Sequence, residues 1–194
     1  MLKKSKSYLA IVESAKKLFW KHGIKKVTVE EISAEAGISK MTFYRHFTNK
    51  EEVAELILKE LMENGFADYE KIMAKPIPFN AKLIEIIDLK KASSKLISQE
   101  FMKDVFIQPD SKLVALIETQ RVKSNKAFES DLKKAQQAGE LRKDLKIEFI
   151  MYMLNSMSHL MEDEKLIDLF DDSEDLTNEV TNFFFYGMLQ NGNS

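Results

Sequence analysis

The sequence predicts an all-α protein, and three observations carry that expectation. Apolar residues recur every three or four positions along most of the chain. Capping signals and Gly or Pro breakers divide it into helix-length segments. No stretch alternates apolar and polar residues with the period of two that a half-buried strand needs. Composition agrees: Gly and Pro number only 6 and 3 among 194 residues, while 44% of residues are hydrophobic, enough to build a core. There is no cysteine, which excludes disulfides and thiolate metal sites. No apolar run approaches the roughly 18 residues of a membrane span. The N-terminal stretch MLKKSKSYLAIVES has a basic start, but its apolar stretch is only YLAIV. No cleavage-type segment follows, so the protein is expected to be cytoplasmic.

The elements follow in order. Tyr8, Ile11, Val12, Ala15, Leu18 and Phe19 form one helical stripe, which ends at Lys21-His22-Gly23 with cations in the last turn and then a glycine. Thr28-Val29-Glu30-Glu31 reads as a capping box opening a second helix, with Ile32 and Ala36, that stops at Gly37. Ser39 is placed to cap a third helix through Phe43 to Phe47. Thr48-Asn49-Lys50-Glu51 reads as another capping box, and the helix it opens runs to about Met73. Residues 75–80, KPIPFN, break the chain. A helix from Phe79 to Phe106 is expected next, with a bend between Lys90 and Lys95 where its stripe loses phase. Gln108-Pro109-Asp110 breaks again. Helices are expected at 111–138, ending at Gly139, then at 146–162 and 174–190. The connector between the last two holds eight Asp or Glu among residues 162–175.

The net charge of −2 hides an asymmetry. Residues 1–50 carry +7, and residues 51–194 carry −9. A basic N-terminal quarter on an acidic body points to a polyanion-binding module joined to a body with another task. Solvated lysine-rich helix faces would give the same numbers. The two short helices meeting at Gly37 add more. Gly37 supplies a turn residue tolerant of positive φ, Ser33 and Ala34 are small enough for close approach, and Ile32, Ala36, Ile38 and Phe43 suit a miniature core. This is the form of a helix-turn-helix. Its second helix lies in the major groove with its N-terminal residues against base edges. That places Ser39, Lys40, Met41 and Thr42 nearest the bases. Lys40 would donate to guanine, and Met41 and Thr42 would touch a thymine methyl. Tyr44, Arg45 and His46 suit phosphates, as do Lys50 and the amide ends of the helices opening at Thr28 and Lys50.

From about Ile11 to Leu58 the chain resembles the TetR family of bacterial transcriptional repressors. The residues that carry the likeness are Ala15, Leu18, Phe19 and Gly23, then Thr28, Val29, Ile32, Ser33, Ala36, Gly37, Ile38 and Ser39, then Phe43, Tyr44, Phe47, Lys50 and Glu51. It covers about a quarter of the chain. The resemblance implies a homodimer on a palindromic double-stranded DNA operator. It also implies a three-helix DNA-binding domain joined by a fourth helix to a larger ligand-binding and dimerising domain. Thr28, Lys40, Thr42, Tyr44, His46 and Lys50 match positions that touch DNA in such proteins. Ser33 departs from the usual alanine, and Met41 from a frequent glycine or small residue. The domains are expected at 1–49 and 50–194.

The body carries its own signals. Ile147, Ile150, Met151, Leu154, Met157 and Met161 form one stripe, with Phe149, Met153 and Leu160 on another side. The last helix repeats the pattern with Leu176, Val180, Phe183, Phe184, Gly187 and Met188. Helices apolar on two sides must be buried on two sides, which a two-fold dimer provides. Phe149, Met153, Leu160, Val180, Phe184 and Met188 are therefore the expected dimer residues. A monomeric bundle with both helices at its centre is the alternative. For an effector pocket, Met62, Phe66, Phe101, Phe106, Met153 and Phe183 are candidate walls, with Gln120 and Ser124 as polar groups to orient a small, largely apolar ligand. The same polar groups would equally suit a face turned to water, and Met and Phe at helical spacing also build plain cores.

No cofactor is expected. His22, His46 and His159 do not form a metal constellation, and the acidic connector matches no EF-hand loop. An enzyme would need a nucleophile–base pair, a phosphate-binding glycine loop or a metal box, and none is present. A helical protein-binding adaptor is the remaining alternative, against which the set Lys40, Tyr44, His46 and Lys50 argues.

Overall fold

The computed structural model describes residues 5–95, 97–107, 109–160 and 163–186, and among these the chain is helical without a strand. Helix α1 is Lys6–His22, α2 Val29–Glu35, α3 Lys40–Tyr44 and α4 Lys50–Met73. Then come α5 Phe79–Ser94, the short α6 Gln99–Met102 with a π-helical turn Lys103–Ile107, and α7 Ser111–Gln137. Helices α8 Ile147–Leu160, α9 Glu164–Ile167 and α10 Ser173–Tyr186 complete the described chain. No helix among the described residues is long and apolar enough to cross a membrane.

By compactness the chain divides into two units, Met1–Glu63 with Leu96–Leu116, and Asn64–Lys95 with Ile117–Ser194. In the first, α1, α2 and α3 pack on one another. Ile11, Ala15, Phe19, Ile32 and Phe43 are fully shielded from solvent, and Val53, Ala54, Ile57 and Leu58 of α4 are buried too. Each large apolar side chain so placed contributes about 1.5–3 kcal/mol toward holding α1, α2, α3 and the start of α4 together. The segment 96–116 belongs here as well. The Ser98 amide donates to the Trp20 carbonyl at 2.9 Å, and the Lys25 amide to the Asp104 carboxylate at 2.9 Å.

In the second unit the core gathers Phe79 and Leu83 of α5, Phe128 and Leu132 of α7, and Ile147, Ile150 and Met157 of α8. Helix α5 also packs along α10. The Tyr69 hydroxyl donates to Asp131 at 2.8 Å, tying the end of α4 to α7. Glu140 accepts from the Phe79 amide at 2.5 Å, so the start of α5, which Pro78 cannot cap with a side chain, is capped from a distant loop.

Two expectations are corrected. The helix from Phe79 to Phe106 is two helices, not one bent helix. Ser93 and Ser94 turn their hydroxyls back onto the Leu89 and Lys91 carbonyls, α5 ends there, and Ser98 caps a new start by accepting from the Phe101 amide. The side-chain cap at the start of α4 is Asn49, one residue later than the Thr48 box read from the sequence. Asn49 accepts from the Glu52 amide at 2.9 Å, and Glu52 accepts from the Thr48 amide at 2.7 Å. The acidic connector also supplies helix caps. Asp163 caps α9 through the Lys165 amide, and Asp172 accepts from the Asp175 amide at the start of α10.

Candidate nucleic-acid interface

Helix α2 begins at the box the sequence announced. Thr28 Oγ1 accepts from the Glu31 amide at 3.2 Å, and Glu31 accepts from the Thr28 amide at 2.8 Å and its hydroxyl at 2.9 Å. Those bonds, the backbone one first, hold the Glu31 carboxyl below the usual carboxylate range. At the other end Gly37 takes φ 65°, and the Ile38 amide donates to the Ser33 carbonyl at 3.0 Å. That bond closes a Schellman turn and aims the chain into α3.

Helix α3 has five residues, ending at Tyr44 rather than continuing to Phe47. Ser39 caps it by accepting from the Thr42 amide at 3.2 Å. The Thr42 hydroxyl sits 3.0 Å from Ser39 Oγ and accepts from Arg45 Nη2 at 3.0 Å. Phe43 is fully buried and anchors the helix from beneath. What remains is presented outward: Met41 is 74% exposed and Tyr44 53% exposed. Lys40 pairs with Glu30 of α2, both side chains half in solvent. Such a pair is worth little in water, so a nucleic-acid acceptor can take the Lys40 ammonium at small cost.

Two of the expected phosphate ligands have other work in this structure. The Lys50 ammonium donates to the carbonyls of Ile24, Lys25 and Val27 at 2.8, 2.8 and 2.7 Å. Those carbonyls belong to a turn with no helix or strand to satisfy them, and the lysine turns its three donors to it. His46 lies beside the first turn of α1: its Nε2 is 2.8 Å from Ser7 Oγ and 3.4 Å from Ser5 Oγ. The structure thus gathers Ser39, Lys40, Met41, Thr42, Tyr44 and Arg45 on one element, with Thr28 at the start of the neighbouring helix. Sequence reasoning missed Glu30, Ser7 and the turn that Lys50 serves, because each is a contact between residues far apart in the chain.

The expected pocket residues divide between the units: Met62, Phe101 and Phe106 in the first, Phe66, Gln120, Ser124, Met153 and Phe183 in the second. Phe101 is buried core, and Phe66 stacks on Tyr69 with the Lys123 ammonium 4.0 Å from its ring centre. Gln120 Oε1 is buried without a hydrogen-bond partner, whereas Ser124 faces solvent. Phe183 is 75% exposed and forms no wall. Its helix is apolar on several faces, so periodicity does not reveal which one turns inward. A cleft of about 320 Å³ in the first unit is lined instead by charged groups including Lys25, Glu51, Glu55, Asp104 and Lys112.

Among the expected dimer residues, Phe149 is 58% exposed. Met153 and Val180 are partly buried and pack against the core of their own unit. The side chains of Leu160 and Phe184, and Met188 altogether, lie outside the described residues. Tyr152, 69% exposed, adds to the outward apolar surface of α8. No cluster of three His, Asp or Glu able to hold a metal ion occurs among the described residues.

Residues 11–57 match the sequence profile of the bacterial regulatory proteins of the tetR family. The chain is 25% identical over 146 residues to the HTH-type transcriptional repressor KstR2 of Mycolicibacterium smegmatis, covering 72% of this chain and 70% of that protein. In structure it is similar to the fatty acid degradation regulator FadR from Bacillus halodurans, with TM-score 0.70, 18% identity and coverage of 96% and 98%. It is also similar to the transcriptional regulator FadR from Bacillus subtilis in complex with stearoyl-CoA, with TM-score 0.63, 20% identity and coverage of 94% and 100%. At those identities the likeness establishes the fold. The relatives are regulators of transcription, not enzymes.

Proposed function

We propose that the chain, whose residues 11–57 match the profile of the bacterial regulatory proteins of the tetR family, is a dimeric repressor released from its operator by a small, largely apolar effector. The observation that carries this reading is the outward face of α3. A five-residue helix is capped by Ser39, anchored by Phe43, and presents Lys40, Met41 and Tyr44 to solvent. Residues 1–49 are the DNA-binding domain and residues 50–194 the effector-binding and dimerising domain. Lys40, Met41 and Thr42 read base edges, while Tyr44, Arg45 and the amide end of α2 at Thr28 hold phosphates.

The exposed Phe149 and Tyr152 on α8 and Phe183 on α10 support a two-fold interface, since a partner chain would cover them. A two-fold dimer places two recognition helices on half-sites about one helical turn apart, or a multiple of it. Effector binding favours a dimer whose recognition helices no longer match that spacing. The Bacillus subtilis FadR structure holds stearoyl-CoA, whose acyl chain is apolar although its CoA head is large and anionic, which makes a long-chain acyl group, free or as its thioester, the first effector class to test. The unpaired Gln120 Oε1 is the polar group we assign to orient it.

The test is a linkage measurement. Stearoyl-CoA is titrated by calorimetry into the protein with and without a bound operator duplex. An effector that releases DNA must bind the DNA-bound form more weakly, by the same factor by which it lowers DNA affinity. Equal affinity in both titrations removes the release mechanism for that ligand.

A further inference from the structure

Helix α5 turns one face inward. Phe79, Leu83, Ile86 and Ser94 are all buried and recur at helical spacing along it. Lys90 belongs to that same face, one turn after Ile86 and one turn before Ser94. A lysine so placed ordinarily carries its ammonium out to water along its own stem. At Lys90 the surrounding protein instead strips water from the ammonium and holds it below the usual lysine range. Yet the side chain keeps exposed surface. Both hold for a side chain standing in a recess, where a water-sized molecule reaches it and protein walls it closely. Among the described residues the ammonium has no hydrogen-bond or ion-pair partner.

Two more polar groups of the same unit lack partners. Helix α10 runs antiparallel to α5: the two pack along one another, and the Lys95 ammonium just past the end of α5 lies 3.4 Å from Glu174 at the start of α10. Counting back along both helices from that pair brings Lys90 and Asn178 to the same level. Asn178 shares a helical stripe with Glu174 and the buried Thr181, and its Oδ1 is buried without a hydrogen bond. Gln120 Oε1 on α7 is in the same condition. An unpaired cation and unpaired amides inside a protein are costly, and packing requires none of them. A leucine or methionine at position 90 would continue the inward stripe. The core of this unit is otherwise apolar, built on side chains such as Leu83, Phe128 and Met157.

We propose that Lys90 is the anion-binding group of the effector site, and that the effector is an amphipathic carboxylic acid whose carboxylate pairs with Lys90 while its apolar body lies along the inward face of α5. This rests on the reading of the protein as an effector-released regulator, and it narrows the effector from acyl groups in general to the free acid. A carboxylate is compact enough for a walled recess and brings the charge that Lys90 lacks. The side-chain amides of Asn178 and Gln120 each offer N–H donors as well as an oxygen, so either can join the lysine on the head group. The carbonyl of a thioester is neutral and the CoA head is large. An acyl-CoA of the same chain length would therefore leave the lysine unpaired. In a site shielded from water an ion pair is strong enough to select between the two.

The experiment uses the full chain. Straight-chain acids from eight to eighteen carbons, the alcohols of matching length and the matching CoA thioesters are titrated by calorimetry into the unchanged protein, Lys90→Met and Lys90→Arg. One or more acids should bind the unchanged protein more tightly than the matching alcohol and thioester. Lys90→Met should weaken such an acid by roughly a hundredfold, as losing one partner of a desolvated charge pair does, and leave the alcohol unaffected. Lys90→Arg keeps the charge and should recover much of the loss. Without ligand, Lys90→Met should melt at a higher temperature, because it removes an unpaired cation from the interior. A lower melting temperature would mean that the cation is already paired, and would overturn the assignment. So would an acid that Lys90→Met binds as well as the unchanged protein does, or an alcohol or thioester that binds more tightly than every acid. Either of those two results leaves release by an apolar effector standing. Binding of nothing in the panel overturns the carboxylic-acid effector, and selection of bound DNA then decides the repressor reading separately.

Discussion

The Lys50 ammonium lies 2.7 Å from the Val27 carbonyl oxygen, and that contact, with two more to Ile24 and Lys25, makes Lys50 the clasp of the turn between α1 and α2. A cation at the start of a helix opposes the helix dipole, so its placement needs a reason, and three carbonyls supply one. Lys50→Met keeps the stem and removes the charge. It should lower the unfolding free energy by about 2–3 kcal/mol, the range for hydrogen bonds from a charged group, measured by urea denaturation. The salt slope of DNA binding should stay unchanged. A stable variant with a flattened slope would return Lys50 to the phosphates.

Gly23 is held by two constraints at once. Its φ is 81°, and a Cβ there would lie 2.7 Å from Asp104 Oδ2 and 3.1 Å from Glu100 Cβ. Gly23→Ala should therefore destabilise the protein by about 2–3 kcal/mol, the conformational part alone costing about 1–3. Adding Asp104→Ala removes the 2.7 Å contact, though not the one to Glu100, and also the bond to the Lys25 amide. The two changes should combine to less than the sum of their separate costs in a double-mutant cycle. Strict additivity would mean that the two residues do not meet.

The Tyr69 hydroxyl is half-buried and donates to Asp131, and burial first, then that bond, pushes the phenol above its usual range. Asp131 keeps its pairing with Lys134 at 2.9 Å, so Tyr69→Phe should cost only about 1–2 kcal/mol. The sign of its pH dependence follows from the raised value. The neutral phenol is favoured in the folded state, so the advantage over Phe is complete below about pH 10 and shrinks as pH rises above it. Thermal melts of both proteins between pH 8 and 11 test this. A gap that widens above pH 10 would contradict it.

Ser33 is 3% exposed and its hydroxyl finds no partner. Ser33→Ala removes an unsatisfied polar group and improves helix propensity, so it should raise stability by about 1 kcal/mol, seen as a higher Tm. A lower Tm would mean that the hydroxyl has a partner in solution.

Most helix bounds were legible because local chemistry marks them. The Thr28–Glu31 box, the Ser39 cap and the glycines at 23, 37 and 139 stand where the helices begin and end. The break between α5 and α6 was not legible as a break, since it has neither Gly nor Pro. It depends on Ser93 and Ser94 bonding back to carbonyls and on Ser98 meeting Trp20 from another part of the chain. The outward face of α3 could be read from spacing alone. The duties of Lys50 and His46 could not, because a basic side chain has the same pattern in sequence whether it meets a phosphate, a carbonyl or a serine. Inward and outward faces of α8 and α10 were only partly separable, since apolar residues occupy both.

The central claim is that the exposed face of α3 reads DNA. It is tested by selecting fragments bound by the purified protein from a genomic or random pool, then measuring mobility shifts with the selected duplex at two salt concentrations. Lys40→Ala and Tyr44→Phe run alongside, with circular dichroism to confirm that both fold. The account predicts specific, salt-sensitive binding. Lys40→Ala should weaken it by about 1–3 kcal/mol and relax selectivity at one base-pair position. Tyr44→Phe should weaken it without changing selectivity. Specific binding left intact by Lys40→Ala, or no sequence enriched at all, would contradict the account.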